Sequence, residues 1–404
     1  MKALREKIEQ EICARGPIPF SRYMELCLYD EELGYYSRNA EQFGKAGDFY
    51  TSSDVHAVFG RLLARQFEEM WRARASPEQI EIRELGPGRG LFARDVLDWS
   101  EKKFPEFFRA LHYVLVERSP ALRKRIEQTL EVHLNSRKAE LCTATSNSPS
   151  AERQKNAVHG ASRGPGAENE QAPTERKKPA SAPIILFANE FFDALPLEIV
   201  SDQGSARIDA RDGRFVETWA ESSPEELEFL DRYSVHPEPG DRMEVPLAAQ
   251  REAARAFAEV GTGFAVIIDY GYTRQEQLAG RHRGTLKAVR QHALSATPYE
   301  APGEQDITAD VNFTALAAAA EQQGFHTHKL VTQSQFLLGI GEANQFADAF
   351  EECRLPQERA KVALQLKHLV TPAGMGESFH VQVASKGAKP DRSAALAGLN
   401  FAVS

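Results

Sequence analysis

The chain has 404 residues, 42% hydrophobic and 26% charged, which is enough for one large α/β domain with additions or for two domains. Its formal charge of −9 excludes a general phosphate-backbone binder, because such proteins present a basic face. The four cysteines, Cys13, Cys27, Cys142 and Cys353, form no C-x-x-C pair, so neither a zinc site nor a disulfide framework is expected.

Residues 1–14 alternate both charge signs with Leu4, Ile8 and Ile12 on one helical face, a helix closed by Gly16 and Pro17. This start lacks the apolar core of a signal peptide, and no later run approaches the roughly 18 apolar residues of a membrane span. A cytoplasmic protein is the default expectation. Ser21 is a candidate N-cap for a second helix with Tyr23, Met24, Cys27 and Leu28 on its face, and this aromatic-rich stretch up to Tyr36 reads mainly as core packing. Gly44 to Asp54 (GKAGDFYTSSD) gathers glycines, acids and hydroxyls into a loop ahead of a helix over Val55 to Arg74. Such loops often carry chemistry, and Ser53 or Asp54 can cap that helix.

The stretch Ile80 to Phe92 (IEIRELGPGRGLF) reads as a strand, a glycine turn at Gly86, Gly88 and Gly90, and a helix. Glycines there let a ligand approach the main chain, and the helix start offers unpaired N–H groups. Tyr113 to Glu117 (YVLVE) is a buried strand ending in a carboxylate suited to both hydroxyls of a ribose. Glu84, placed before the turn, would repel a pyrophosphate and suit a cation. S-adenosylmethionine, with a sulfonium and no phosphate, therefore ranks ahead of a dinucleotide as the ligand.

A helix then follows over Phe92 to Lys103, and Ser119 and Pro120 open another over Leu122 to Leu130. Asn135 to Ala182 breaks the βα pattern, and the low-complexity part of it, 143–182, reads as a disordered insertion. Ile184 to Phe187 is the next buried strand, delivering Asn189, Glu190 and Asp193 to the carboxyl edge, where ligands bind in open α/β sheets. Ala206 to Trp219 alternates like a hairpin around Asp212-Gly213, Pro224 to Tyr233 is an acidic helix, and Phe264 to Ile268 is an apolar strand ending in Asp269 and Tyr270. Gly284 to Arg290, Lys329 to Gln333 and Phe379 to Ala384 are candidate strands, and Thr314 to Gln323 is an alanine-rich helix. The organisation expected is a helical region over 1–79 with a cofactor-facing loop, an interrupted α/β core over 80–386, and a loose tail over 387–404.

Five blocks in this order, GDFYTSSD (47–54), ELGPGRG (84–90), NEFFDALP (189–196), IDYGY (268–272) and GEQDITADVNFTAL (303–316), resemble the MidA family over roughly residues 10–386. That family comprises S-adenosylmethionine-dependent methyltransferase-like proteins, whose mitochondrial members are arginine methyltransferases needed for assembly of respiratory complex I. The resemblance implies a class I methyltransferase fold, a Rossmann-like sheet with an N-terminal helical segment and added α/β elements. It implies S-adenosylmethionine as cofactor, held by Glu84, Gly86, Pro87, Gly88, Gly90, Glu117, Ser119, Asp48, Thr51 and Ser52, with no metal. Asn189, Glu190 and Asp193 are the catalytic candidates, because carboxylates pair with the planar fork of an arginine acceptor. Asp269, Tyr270, Asp306 and Asn312 are secondary candidates, Asn312 standing where an acid is expected. The partner implied is a protein, a bacterial counterpart of a complex I subunit, and the oligomeric state stays open. Two other readings remain, a small-molecule methyltransferase and a non-catalytic assembly factor that keeps the donor fold.

Overall fold

A computed structural model of the chain describes residues 2–38, 57–143, 182–290, 293–342, 344–387 and 395–400. Six strands of one sheet organise it: β1 (Ile80–Leu85), β2 (Leu111–Val116), β3 (Ala139–Cys142), β4 (Ile184–Asn189), β5 (Gly263–Tyr272) and β6 (Phe379–Lys386). They lie in the order β3-β2-β1-β4-β5-β6, with β1 to β5 parallel and β6 antiparallel to β5. The strand order reverses between β1 and β4, and a crevice opens at the carboxyl ends there.

Side-chain alternation along these strands fills two cores. Ile80, Ile82, Tyr113, Phe187 and Val266 point to one face, against helices Ala57–Ala73 and Leu91–Lys103. Leu85, Val116, Leu186 and Ile267 point to the other, under helices Leu247–Glu259 and Phe313–Gln322. Phe187 stacks on Phe92 at 4.5 Å between ring centroids, and Phe67 meets its edge at 5.5 Å. Both faces are thus covered, which is why β2, β4 and the first part of β5 read as near-continuous apolar runs.

Strand β3 falls inside the stretch that the sequence reading gives to broken pattern. Only four residues long, it carries too little apolar content to announce itself, and its place is fixed by pairing with β2. The described end of the chain also departs from a loose tail. Leu396 is buried, and the Ala397 and Gly398 amides donate to Glu69 and Gln66 of helix Ala57–Ala73.

The N-terminal helices Lys2–Arg15 and Phe20–Tyr29 share a core with a separate five-stranded sheet, in which hairpin Gly204–Arg211 and Arg214–Ala220 turns on Asp212 and Gly213, both at positive φ. Leu4, Ile8 and Ile12 are the buried face of the first helix, as their spacing requires. Ser21 does not cap the second: Pro19 stands there without a side-chain bond, and the Ser21 hydroxyl donates to Glu198 instead. A three-stranded sheet, Ala293–Leu294, Lys287–Arg290 and Asp306–Thr308, brings Asp306 to the crevice. No helix among the described residues is long and apolar enough to cross a membrane.

Candidate active site

A cavity of about 410 Å³ lies at the carboxyl ends of β1, β2 and β4. That is large enough for a small organic ligand. Its floor is the glycine turn, where Gly86 and Gly88 adopt φ of +62° and +55°. A Cβ on Gly88 would meet nothing within 4 Å, so the main chain is open to a ligand there. A Cβ on Gly86 would come within 2.6 Å of the Phe191 ring, so a side chain at this position collides with the protein itself. Gly90 serves packing: it caps helix Leu91–Lys103 in the left-handed conformation, and a Cβ there would press on Leu130 and Ile126. Pro87 does not line the cavity either; its carbonyl accepts from the Gly90 amide at 2.8 Å and closes the turn.

Glu117 stands on the cavity wall one residue past β2. Burial pushes its carboxyl up to about 7, partly offset by the amides of Ser119 and Arg118. The Ser119 amide donates to Glu117 Oε1 at 2.7 Å, and the Ser119 hydroxyl donates to the Tyr36 carbonyl at 3.0 Å. Ser119 also caps helix Pro120–Thr129, so this one residue fixes both the carboxylate and the helix start.

Glu84 is not in the cavity. Strand alternation puts it on the same face as Ile80 and Ile82, buried, where it accepts from the Tyr113 hydroxyl at 2.9 Å. Burial raises its pKa from 4.5 to about 8, so at neutral pH the folded chain holds a proton there that the unfolded chain has released. Its stabilising effect is complete in acid and is lost as pH rises through that folded value. Glu84→Gln keeps an acceptor for Tyr113, and its Tm should fall by a few degrees less than that of the unaltered chain between about pH 5 and about pH 9. Parallel melting curves for the two chains would contradict this assignment.

On the opposite wall, the turn after β4 carries Glu190 and Asp193 into the cavity. Glu190 has φ of +50°, a strained state for this residue, with its amide bonded to the Ile268 carbonyl at 3.0 Å. Asn189 lies behind it, outside the lining. As the last residue of β4 it points to the other face of the sheet, and its Nδ2 donates to Glu190 Oε1 at 3.1 Å. Asp193 is buried; the Tyr270 hydroxyl donates to its Oδ2, while Oδ1 has no hydrogen-bond partner of good geometry among the described residues. Burial lifts this carboxyl to about 6, with the Tyr270 bond and nearby amides pulling it back.

Asp306 completes the acidic wall, accepting from the Tyr36 hydroxyl at 2.9 Å. Asp269 lies beneath the wall rather than on it. It accepts from the amides of Phe191 and Phe192 at 3.3 and 3.1 Å and so shapes the turn that presents Asp193. Asn312 is elsewhere, capping helix Phe313–Gln322 with its Oδ1 while its Nδ2 bonds the Tyr233 carbonyl. Asp48, Thr51 and Ser52 lie outside the described residues.

Sequence reasoning misses the aromatic side of the cavity. Tyr29, Tyr35 and Tyr36 line it, with ring centroids 5.4 Å apart for Tyr29 and Tyr36 and 5.3 Å apart for Tyr35 and Tyr36. The core reading of that stretch holds, since Phe20, Tyr23 and Tyr35 belong to the core and Tyr29 and Tyr36 pack against it, but Tyr29, Tyr35 and Tyr36 also face the cavity. The signal was the change of residue type at Asp30 to Gly34, where a polar, glycine-ended turn takes the chain from the core to the crevice.

A sheet that reverses between β1 and β4, with a glycine turn and a ribose-type carboxylate at the reversal, defines a Rossmann-like binder of a nucleoside-bearing donor. Residues 62–331 match the family model described as S-adenosyl-L-methionine-dependent methyltransferase. The chain is 30% identical to the mitochondrial protein arginine methyltransferase NDUFAF7 homologue of Drosophila melanogaster, over 93% of this chain and 83% of that protein. It is 28% identical to the corresponding protein of Danio rerio, over 94% of this chain and 86% of that one. The crystal structure of a Burkholderia thailandensis protein bound to S-adenosylhomocysteine is similar to it with a TM-score of 0.77 and 26% identity, covering 99% of this chain and 95% of that chain. The chain belongs to the MidA family of S-adenosylmethionine-dependent methyltransferases.

Proposed function

We propose that this methyltransferase acts on an arginine of a protein partner, with donor and acceptor meeting in the cavity between Gly86 and Asp193. The observation that carries the reading is the buried Asp193 carboxyl, whose Oδ1 has no hydrogen-bond partner of good geometry among the described residues, in the same cavity as Glu117 and the glycine turn. A buried carboxylate with one oxygen left over is costly, and a guanidinium is the side chain whose fork best satisfies it.

S-adenosylmethionine, when bound, supplies a methyl carbon activated by a sulfonium. The chain's own part is then to position and to move one proton. Glu117 accepts from ribose hydroxyls, and the bare main chain at Gly88 lets the ligand lie close. Glu190, Asp193 and Asp306 grip the acceptor, and Asp193 Oδ1 takes the proton that a guanidinium must release when it gains a methyl group. Alignment to about 3 to 3.5 Å does the rest, without a metal.

The relatives named as protein arginine methyltransferases support the acceptor class. The partner we propose is a counterpart of a complex I catalytic-arm subunit, as the family resemblance implies, and the cytoplasm is the place we propose for the encounter. Mass spectrometry of that subunit from cells with and without this gene tests the assignment. A methylated arginine should be present only with the gene; its presence in both samples, or in neither, would contradict the proposal.

A further inference from the structure

We propose that Tyr270 is a positioning residue for methyl transfer, clamping Asp193 Oδ2 with its hydroxyl so that the carboxyl is held, ionised, for the cationic acceptor. The inference rests on the acceptor site assigned above and extends it to a residue outside the cavity lining. Tyr270 lies two residues before the end of β5, and two contacts fix its ring without help from the hydroxyl. The ring meets Phe379 edge-on at 5.5 Å, and Lys287 Nζ lies 5.1 Å over its face. The hydroxyl therefore does not hold the ring in place, and its bond to Asp193, 77 residues away in sequence, serves the carboxylate.

The surroundings make that bond decisive. Around Asp193 lie Asp269 on β5, Glu190 on the same turn, Asp306 on the three-stranded sheet, and Tyr29 and Tyr36 from the N-terminal segment, with Lys287 a cation that acts on it. Burial and the neighbouring acids favour the protonated form of this carboxyl; the Tyr270 bond favours the ionised one most, ahead of the Ala194 and Asp193 amides and Lys287. A protonated Asp193 can neither pair with a guanidinium nor accept its proton.

Tyr270→Phe in the full chain isolates the hydroxyl, since the ring contacts remain. The Asp193 carboxyl carbon, identified by its loss in Asp193→Asn, is followed by ¹³C NMR against pH without donor. Its midpoint should rise by roughly one unit, the size of a charged hydrogen bond. The acid limb of methyl transfer to protein from cells lacking the gene should move to higher pH by the same amount, with S-adenosylmethionine affinity unchanged. An unmoved Asp193 midpoint overturns the proposal, whatever the acceptor proves to be; a moved midpoint with an unmoved acid limb overturns it too. Absence of arginine methylation by the unaltered chain would instead sink the acceptor reading and this extension with it. If the Phe variant does not fold, the unaltered chain still decides. The Tyr270 ¹³Cζ signal should titrate with the Asp193 midpoint, and a flat Tyr270 signal across it overturns the clamp.

Discussion

Glu117→Ala should weaken S-adenosylmethionine binding by roughly 10- to 100-fold while the chain stays folded. The estimate is that of one charged hydrogen bond, about 1.5 to 3 kcal/mol, lost to a ribose hydroxyl. Folding is expected to survive because burial already works against this carboxyl, holding it at about 7 in the free chain. That value gives a second signature. Hydrogen bonds from hydroxyls favour the ionised form, so donor affinity in the unaltered chain should climb as pH rises through about 7. Glu117→Gln should be weak and nearly flat across the same range. Calorimetric titration at several pH values checks both points, and equal affinity in all three chains would remove Glu117 from the donor site.

Asp193→Asn should bind the donor as the unaltered chain does and lose transfer by roughly 100-fold or more, the usual size of a general-base contribution. The carboxyl sits at about 6, so transfer by the unaltered chain should fall as pH drops below that value, and the residual rate of the Asn variant should not. Glu190→Gln should cost less, because it removes one grip on the acceptor and leaves the proton's destination intact. Both variants keep the shape of the side chain. A loss of donor affinity as large as the loss of rate would mean that this wall belongs to the donor instead.

The parts of this site that were legible in the sequence are local ones. The glycine turn, Glu117 and the acids Glu190 and Asp193 each follow a buried strand within a few residues, and strand alternation with the carboxyl-end rule is enough to send them to one crevice. What the sequence hides is pairing across the chain. Glu84 faces away from the ligand and is held there by Tyr113, 29 residues on and on the neighbouring strand. Tyr36 meets Asp306 at a separation of 270 residues, which no local pattern announces. Asp269 looks like a cleft acid from its strand-end position, yet its work is to hold the backbone of Phe191 and Phe192. The same holds for fold: helix Leu247–Glu259 is strongly amphipathic but has no side-chain cap, and β3 is four residues whose place is set only by its neighbour.

The most direct measurement is to give the purified chain methyl-labelled S-adenosylmethionine and proteins from cells lacking the gene, and to find which atom acquires the label. The account predicts a labelled arginine side-chain nitrogen on a protein with the unaltered chain, and almost none with Asp193→Asn at matched donor occupancy. Label on a small molecule or on another side chain, or equal labelling by the two chains, would contradict it.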